Sequence, residues 1–231
     1  MNLLTTELEQ ELSTTQMAAF QKYADLLHSW NQRFNLTAVR KPDEIWSRHF
    51  LDSLTCLRVM HGTPLAQIID VGTGAGFPGL VLKIIHPEIR LTLVESVGKK
   101  AAFCAEVVRA LRLDNVKILT TRAEELGQNP GHREQYDWAV ARAVAPMPVL
   151  VEYLLPLVKI RGKILAQKGK EGEQETILAQ NAITTLGGEL DRVLPVSLPG
   201  AEARTLIVVT KTRGTPERYP RRVGIPSKRP L

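Results

Sequence analysis

The sequence predicts an α/β fold: a sheet that is parallel over most of its width, ends in an antiparallel edge hairpin, and is preceded by a small helical region. Three observations carry this. From residue 63 onward, strand-like and helix-like runs alternate, the pattern of a parallel sheet covered on both faces. The last two strand-like runs, 190–198 and 204–211, are separated only by Pro199, Gly200 and a few neighbours. A parallel crossover needs about a dozen residues or more, so these two runs must pair antiparallel. The glycine-rich stretch "IIDVGTGAGFPG" (68–79) follows the first strand as a loop on which a ligand can touch backbone.

Residues 1–62 form the helical region. Phe20, Tyr23, Ala24, Leu27, Trp30 and Phe34 recur at helical spacing and make one apolar stripe, with Ser13 and Gln16 as a capping box at its start. A second helix is expected from Pro42, a residue suited to the first turn, with Asp43 and Glu44 at the positive end of the dipole. It should run through Trp46, Phe50, Leu54 and Leu57. Both stripes read as core. The sheet follows over 63–211, with strands at 67–71, 90–94, 116–120, 136–141 and 162–167 before the hairpin. Helices are expected at roughly 79–85, 99–111, 147–158 and 171–186. Residues 212–231 are a basic tail in which Pro216, Pro220, Pro226 and Pro230 favour an extended course.

Composition narrows the function classes. The hydrophobic content of 44% supports a real core, and no apolar run approaches a membrane span. Cys56 and Cys104 make no disulfide framework, and the start MNLLTTELEQEL has no basic signal region, so a cytoplasmic protein is expected. The net charge is +6, and all of it falls between Lys211 and Leu231, leaving residues 1–210 neutral. A neutral body with a basic tail suits a polyanionic partner, although such a tail also serves solubility alone.

The loop fits two patterns: Gly72, Gly74 and Gly76 as GxGxG, and Gly74, Gly76 and Gly79 as GxGxxG. Glu95, ending the next strand 19 residues after Gly76, suits a carboxylate that accepts from ribose hydroxyls. NAD and S-adenosylmethionine both carry that ribose, so Glu95 does not separate them. The antiparallel edge favours the second and resembles the sheet of class I S-adenosylmethionine methyltransferases. Asp70 also favours it, since a carboxylate there repels a pyrophosphate and can receive the ammonium of a methionyl group. Alternatively, Asp70 holds the loop through backbone hydrogen bonds. At the end of the third strand, Thr121-Arg122-Ala123-Glu124 offers a backbone amide and a small side chain to an adenine, or else Glu124 is merely solvated.

These blocks together resemble the RsmG family, also called glucose-inhibited division protein B. "NLTAV" (35–39), "RHFLDSL" (48–54), "DVGTGAGFPG" (70–79), "ESVGKK" (95–100), "RAEE" (122–125), "ARAVA" (141–145), "QKG" (167–169) and "YPRRVGIPSKRPL" (219–231) appear in the family's order. The resemblance implies methyl transfer from S-adenosylmethionine to ring nitrogen 7 of one guanine in the decoding region of 16S rRNA. The small ribosomal subunit or its precursor would be the partner and the enzyme a monomer. It implies a cofactor site of Asp70, Gly72, Gly74, Gly76, Phe77, Glu95, Ala123, Glu124 and Arg142. Arg142 can alternatively form an ion pair with Asp70 or Glu124. No metal and no catalytic base are expected, because the target nitrogen has an in-plane lone pair and no proton to lose. His49 and Asp52 read as a structural pair that packs the helices or shapes the RNA entrance. Lys168, Arg218, Arg221, Arg222, Lys228 and Arg229 are the candidate RNA contacts.

Overall fold

The structure, a computed structural model, describes residues 12–198 and 203–231. The start of the chain and the link at Pro199 and Gly200 lie outside the described residues. Helix α1 (Thr14–Phe34) begins at the expected capping box: Gln16 N–H donates to Ser13 Oγ at 3.2 Å, and Ser13 N–H donates to Gln16 Oε1 at 2.9 Å. Its inward stripe is Phe20, Tyr23, Ala24, Leu27 and Asn31, with Trp30 and Phe34 packed at the margin.

The expected second helix is interrupted. Helix α2 (Pro42–Ile45) passes into a π-helical turn (Trp46–Leu51), then α3 (Asp52–Leu54), and after a turn at 55–56 α4 (Leu57–Met60). Hydroxyls compete with the helical ladder here: Ser53 Oγ donates to the His49 carbonyl and Thr55 Oγ1 to the Asp52 carbonyl, both at 2.6 Å. The wider turn carries Arg48 and His49, and π-turns inside helices recur at functional sites.

Seven strands form one sheet: β1 (Gln67–Val71), β2 (Arg90–Val94), β3 (Val116–Leu119), β4 (Tyr136–Arg142), β5 (Val158–Lys168), β6 (Gly188–Val196) and β7 (Arg204–Lys211). Their order is β3-β2-β1-β4-β5-β7-β6. The first five are parallel, and β7 runs antiparallel to both β5 and β6, as the short link required. The intervening helices are α5 (Gly79–Ile85), α6 (Gly98–Leu111), α7 (Ala123–Gln128), α8 (Met147–Leu154), α9 (Gly172–Leu178) and α10 (Gln180–Thr185). Helix α8 ends before Pro156, which cannot continue a helix, so β5 starts earlier than its apolar run suggested.

Strand alternation builds two cores. Ile68, Leu91, Leu93, Trp138, Val140, Leu165 and Val208 face α1, the 42–60 segment, α5 and α6. Their neighbours Ile69, Val71, Ala139, Ala141, Ile164 and Val209 face α8 and α10 on the other side. The winding reverses between β1 and β4, and open α/β sheets bind ligands at the carboxyl ends of such a pair.

The basic tail corrects the expectation of an extended strip. Residues 212–231 fold back onto α7 and α8 and end in a helical turn, α11 (Ile225–Lys228). Arg133 donates to the Gly127, Thr215 and Tyr219 carbonyls at 2.7–2.8 Å. Arg221 grips Glu152, whose side chain is fully buried, through Nη2 to Oε2 at 2.6 Å and through its own backbone N–H at 2.8 Å. Arg221→Ala leaves that carboxylate without its countercharge. Unpairing a buried ion in this way costs about 3–5 kcal/mol. A lower urea midpoint and faster proteolysis of the tail are expected; an unchanged midpoint with a protected tail would mean the pair holds nothing.

Candidate functional site

At the β1/β4 switch point the sheet opens into a cleft of about 490 Å³. That is within the ordinary range for small-ligand sites, ~300–1,000 Å³. One wall is the glycine loop after β1. The opposite wall is the 36–39 loop with the π-turn, and the floor is the ends of β4 and β5.

The loop is fixed from below and from the side. Gly72, Gly74 and Gly76 have φ of +68°, +62° and +94°. A Cβ on Gly72 would meet Val144 Cγ2 at 2.6 Å, and one on Gly76 would meet the Tyr23 hydroxyl and Leu80 Cδ1. Of the two roles open to Asp70, its hydrogen bonds fill the loop-holding one. Oδ2 accepts from Thr73 Oγ1 at 2.6 Å and from Gly79 N–H at 2.8 Å. Oδ1 is buried and has no hydrogen-bond partner among the described residues. Burial pushes this carboxyl up to about 6. Glu95 accepts from Gly74 N–H on Oε2 at 3.0 Å and from Val97 N–H on Oε1 at 2.8 Å. Each oxygen keeps acceptor capacity beyond those bonds.

The helical region reaches into this loop. The Tyr23 hydroxyl donates to the Ala75 carbonyl at 2.5 Å, and its ring stacks on Phe77 at 5.3 Å. His49 stacks on the same Phe77 at 4.6 Å. Neither contact could be read from the apolar stripe alone, where Tyr23 looks like any core aromatic.

Arg142, at the end of β4, is the centre of the cleft. The alternative of an ion pair with Asp70 or Glu124 is corrected: its carboxylate partner is Asp52, Nη1 to Oδ2 at 2.8 Å. Nη1 also donates to the Arg48 carbonyl at 3.3 Å, and Nη2 reaches His49 Nδ1 at 3.3 Å. The guanidinium lies 5.0 Å from the Phe77 ring centroid. Asp52 is 1% exposed and takes a second cation, Arg204, on Oδ1 at 3.3 Å. Burial and the facing Arg142 push the His49 imidazole down to about 3, so it is neutral at physiological pH. His49 and Asp52 are therefore a pair through Arg142 rather than through each other.

The remaining expected residues are distributed more widely. Ala123 starts α7 beside the end of β3, and both it and Glu124 are buried. Glu124 is not solvated, because its Oε1 accepts from Gly224 N–H of the tail at 3.0 Å. Lys168 lines the cleft but is committed to Glu175 at 2.7 Å and to the Ala145 carbonyl at 2.8 Å. Arg218, Arg222, Lys228 and Arg229 are exposed, whereas Arg221 belongs to Glu152. Arg48, Lys100 and Arg204, three cations to which the sequence pattern gives no role, also line the cleft. The blocks that carry them, or adjoin them in space, were the available signal.

The fold and the loop agree with comparisons to known proteins. A Ribosomal RNA small subunit methyltransferase G of Roseiflexus castenholzii is 51% identical over 228 residues, spanning 99% of this chain and 97% of that protein. One from Chloroflexus aggregans is 49% identical over 98% of this chain and 95% of its own length. Among solved structures, TrmN from Thermus thermophilus superposes with a TM-score of 0.54 at 18% identity, over 71% of this chain and 53% of that one. The 16S rRNA (adenine(1408)-N(1))-methyltransferase from Catenulisporales acidiphilia gives 0.55 at 14% identity, over 68% and 90%. At such identities the structures share the fold alone. The family model described as rRNA small subunit methyltransferase G matches residues 16–204, which contain the glycine loop, the π-turn and every residue that lines the cleft. With that span and half of its positions shared with full-length relatives, the chain belongs to the rRNA small subunit methyltransferase G family.

Proposed function

We propose that this chain transfers a methyl group from S-adenosylmethionine to ring nitrogen 7 of one guanine in 16S ribosomal RNA. The observation that carries the reading is the family match across the whole cleft. The residues fit the cofactor: three glycines at positive φ let the loop turn tightly, with Gly72 and Gly76 packed where a Cβ would strike Val144, Tyr23 or Leu80 and Gly74 left open, Glu95 keeps lone pairs for ribose hydroxyls, and Asp70 Oδ1 is a buried acceptor without a donor among the described residues. Asp70, Gly72, Gly74, Gly76, Phe77 and Glu95 would hold it, with Ala123 and Glu124 toward the adenine.

When bound, the cofactor supplies an electrophilic methyl on a sulfonium. The chain's residues then have to orient and desolvate rather than move a proton. His49 is unsuited to be a base, since burial and Arg142 hold its proton affinity low, down to about 3, and Nδ1 faces Arg142 while Nε2 faces Thr37. Fixing two reactants in line contributes several kcal/mol, up to about 7–11 in well-oriented model systems. Positive charge passes from sulfur to purine, so a bare cation beside the methyl would oppose it. Asp52 answers this by partly neutralising Arg142 and Arg204. An RNA helix hides the nitrogen-7 edge in its deep, narrow groove, so the guanine must be splayed out to enter the cleft. Arg48, Lys100 and the exposed tail cations are then the phosphate contacts.

Incubation with methyl-labelled S-adenosylmethionine and small subunits from cells lacking the activity tests this. Label on one guanine as 7-methylguanosine is expected. Cofactor binding without label, on particles that a known active relative methylates, would move the function to a different acceptor. Salt should weaken binding steeply, since each phosphate contact releases counterions.

A further inference from the structure

The geometry points to Thr37 as the residue that reads the acceptor base, its hydroxyl donating to the carbonyl oxygen O6 of guanine. This rests on the guanine reading above and deepens it.

A threonine hydroxyl has one proton to give and two lone pairs to receive. Arg142 carries only donors, so its Nη2, 3.3 Å from His49 Nδ1, requires a lone pair on that nitrogen. The proton of the neutral imidazole is then on Nε2, which donates to Thr37 Oγ1 at 2.9 Å. Val39 N–H donates to the same oxygen at 3.2 Å. Both lone pairs of Thr37 are filled. The hydroxyl is left as a pure donor on the wall of the cleft, one imidazole ring away from Phe77 of the glycine loop.

The backbone of Thr37 is fixed as firmly as its side chain. Buried Asn31 uses its whole amide on this loop: Oδ1 accepts from Thr37 N–H at 2.9 Å, and Nδ2 donates to the Thr37 and Val39 carbonyls at 3.0 and 3.2 Å. A donor held in place from both sides suits recognition, because little has to reorganise on binding.

The base chemistry matches. On its outer edge guanine presents N7 and O6, both acceptors, whereas adenine presents N7 beside an N6 amino donor. Thr37 can satisfy O6 while leaving the N7 lone pair free to attack. Against adenine the same hydroxyl would meet a donor with a donor. Because Arg142 sets the tautomer of His49, it also sets the direction in which Thr37 donates.

The test is a cycle between enzyme and base. Small subunits carrying guanine or 2-aminopurine at the target, which keeps N7 but lacks O6, are methylated by wild type, Thr37→Val and Thr37→Ser. Wild type should lose about tenfold or more in kcat/KM on 2-aminopurine, the scale of one base-edge contact. Thr37→Val should lose a similar factor on guanine and nothing further on 2-aminopurine, with S-adenosylmethionine affinity unchanged. Thr37→Ser should restore the guanine preference, which a merely misfolded loop would not allow. Losses that multiply across the cycle overturn the O6 contact while leaving the activity intact. A fall in cofactor affinity that accounts for the Thr37→Val loss assigns the hydroxyl to the cofactor instead and also overturns it. Failure of wild type to make 7-methylguanosine removes both this contact and the function it rests on.

Discussion

Arg142→Ala is expected to lower kcat/KM for small subunits by about 10²-fold or more while S-adenosylmethionine still binds. The guanidinium ties the π-turn and the start of α3 to the end of β4, through Asp52 at 2.8 Å and through the Arg48 carbonyl and His49 Nδ1, each at 3.3 Å. Its loss leaves Asp52 buried with Arg204 alone as countercharge, and a displacement of about 1 Å near the reacting atoms already costs about a hundredfold. Arg142→Lys should recover little. An ammonium is a compact charge without the planar fork that spans three acceptors. The imidazole gives an independent readout. Arg142 is the second cause that holds His49 low, after burial, so its pKa should rise from about 3 toward the ordinary 6.5 in the variant, followed by proton NMR. In wild type the unfolded chain binds a proton at His49 that the folded chain refuses between those two values, so this residue makes stability fall as pH falls through the window. In Arg142→Ala that window narrows from its lower end. A variant with full activity and an unmoved His49 would sink the account of Arg142 as the organiser of the cleft.

The sheet was legible because two signals agree there. Alternating apolar residues set which face each side chain takes, and glycine and proline mark the ends; β1, β2 and β7 fall where the runs place them. The capping box of α1 was legible for the same reason, since all its atoms lie within four residues. What was not legible depends on distant partners. Arg142 had carboxylates on offer in Asp70 and Glu124, yet it pairs with Asp52, 90 residues away in the helical turn that follows the π-turn. Arg221 looked like one more tail cation until Glu152, 69 residues away and without any solvent contact, claimed it. Tyr23 looked like a core position of the first helix, and it is core; Asn31, outside the apolar stripe, is buried with it. Their polar atoms nevertheless act on the glycine loop and on the Thr37 loop, and periodicity says nothing about polar atoms.

Gly72→Ala is the second large effect, and its cause can be divided. Two penalties coincide at this position. The backbone sits at φ +68°, which costs an alanine roughly 1–2 kcal/mol. A Cβ would also lie 2.6 Å from Val144 Cγ2, inside the closest approach of real carbon atoms. Together they should displace the loop that Asp70 and Glu95 hold, and raise the dissociation constant for S-adenosylmethionine by about 10²-fold or more, since ~1.4 kcal/mol is tenfold. Val144→Ala alone removes only two methyl groups from a half-buried side chain and should change cofactor affinity little. The double variant, Gly72→Ala with Val144→Ala, removes the clash and keeps the strained φ. Titration calorimetry on the four proteins therefore separates the two causes. Recovery of most of the affinity in the double variant means the close approach between the first strand's loop and the residue after "ARA" is what glycine serves. No recovery means the left-handed backbone is the requirement. Tight binding by the single variant would mean the cofactor does not sit on this loop, and the cradle would have to be assigned to a different ligand.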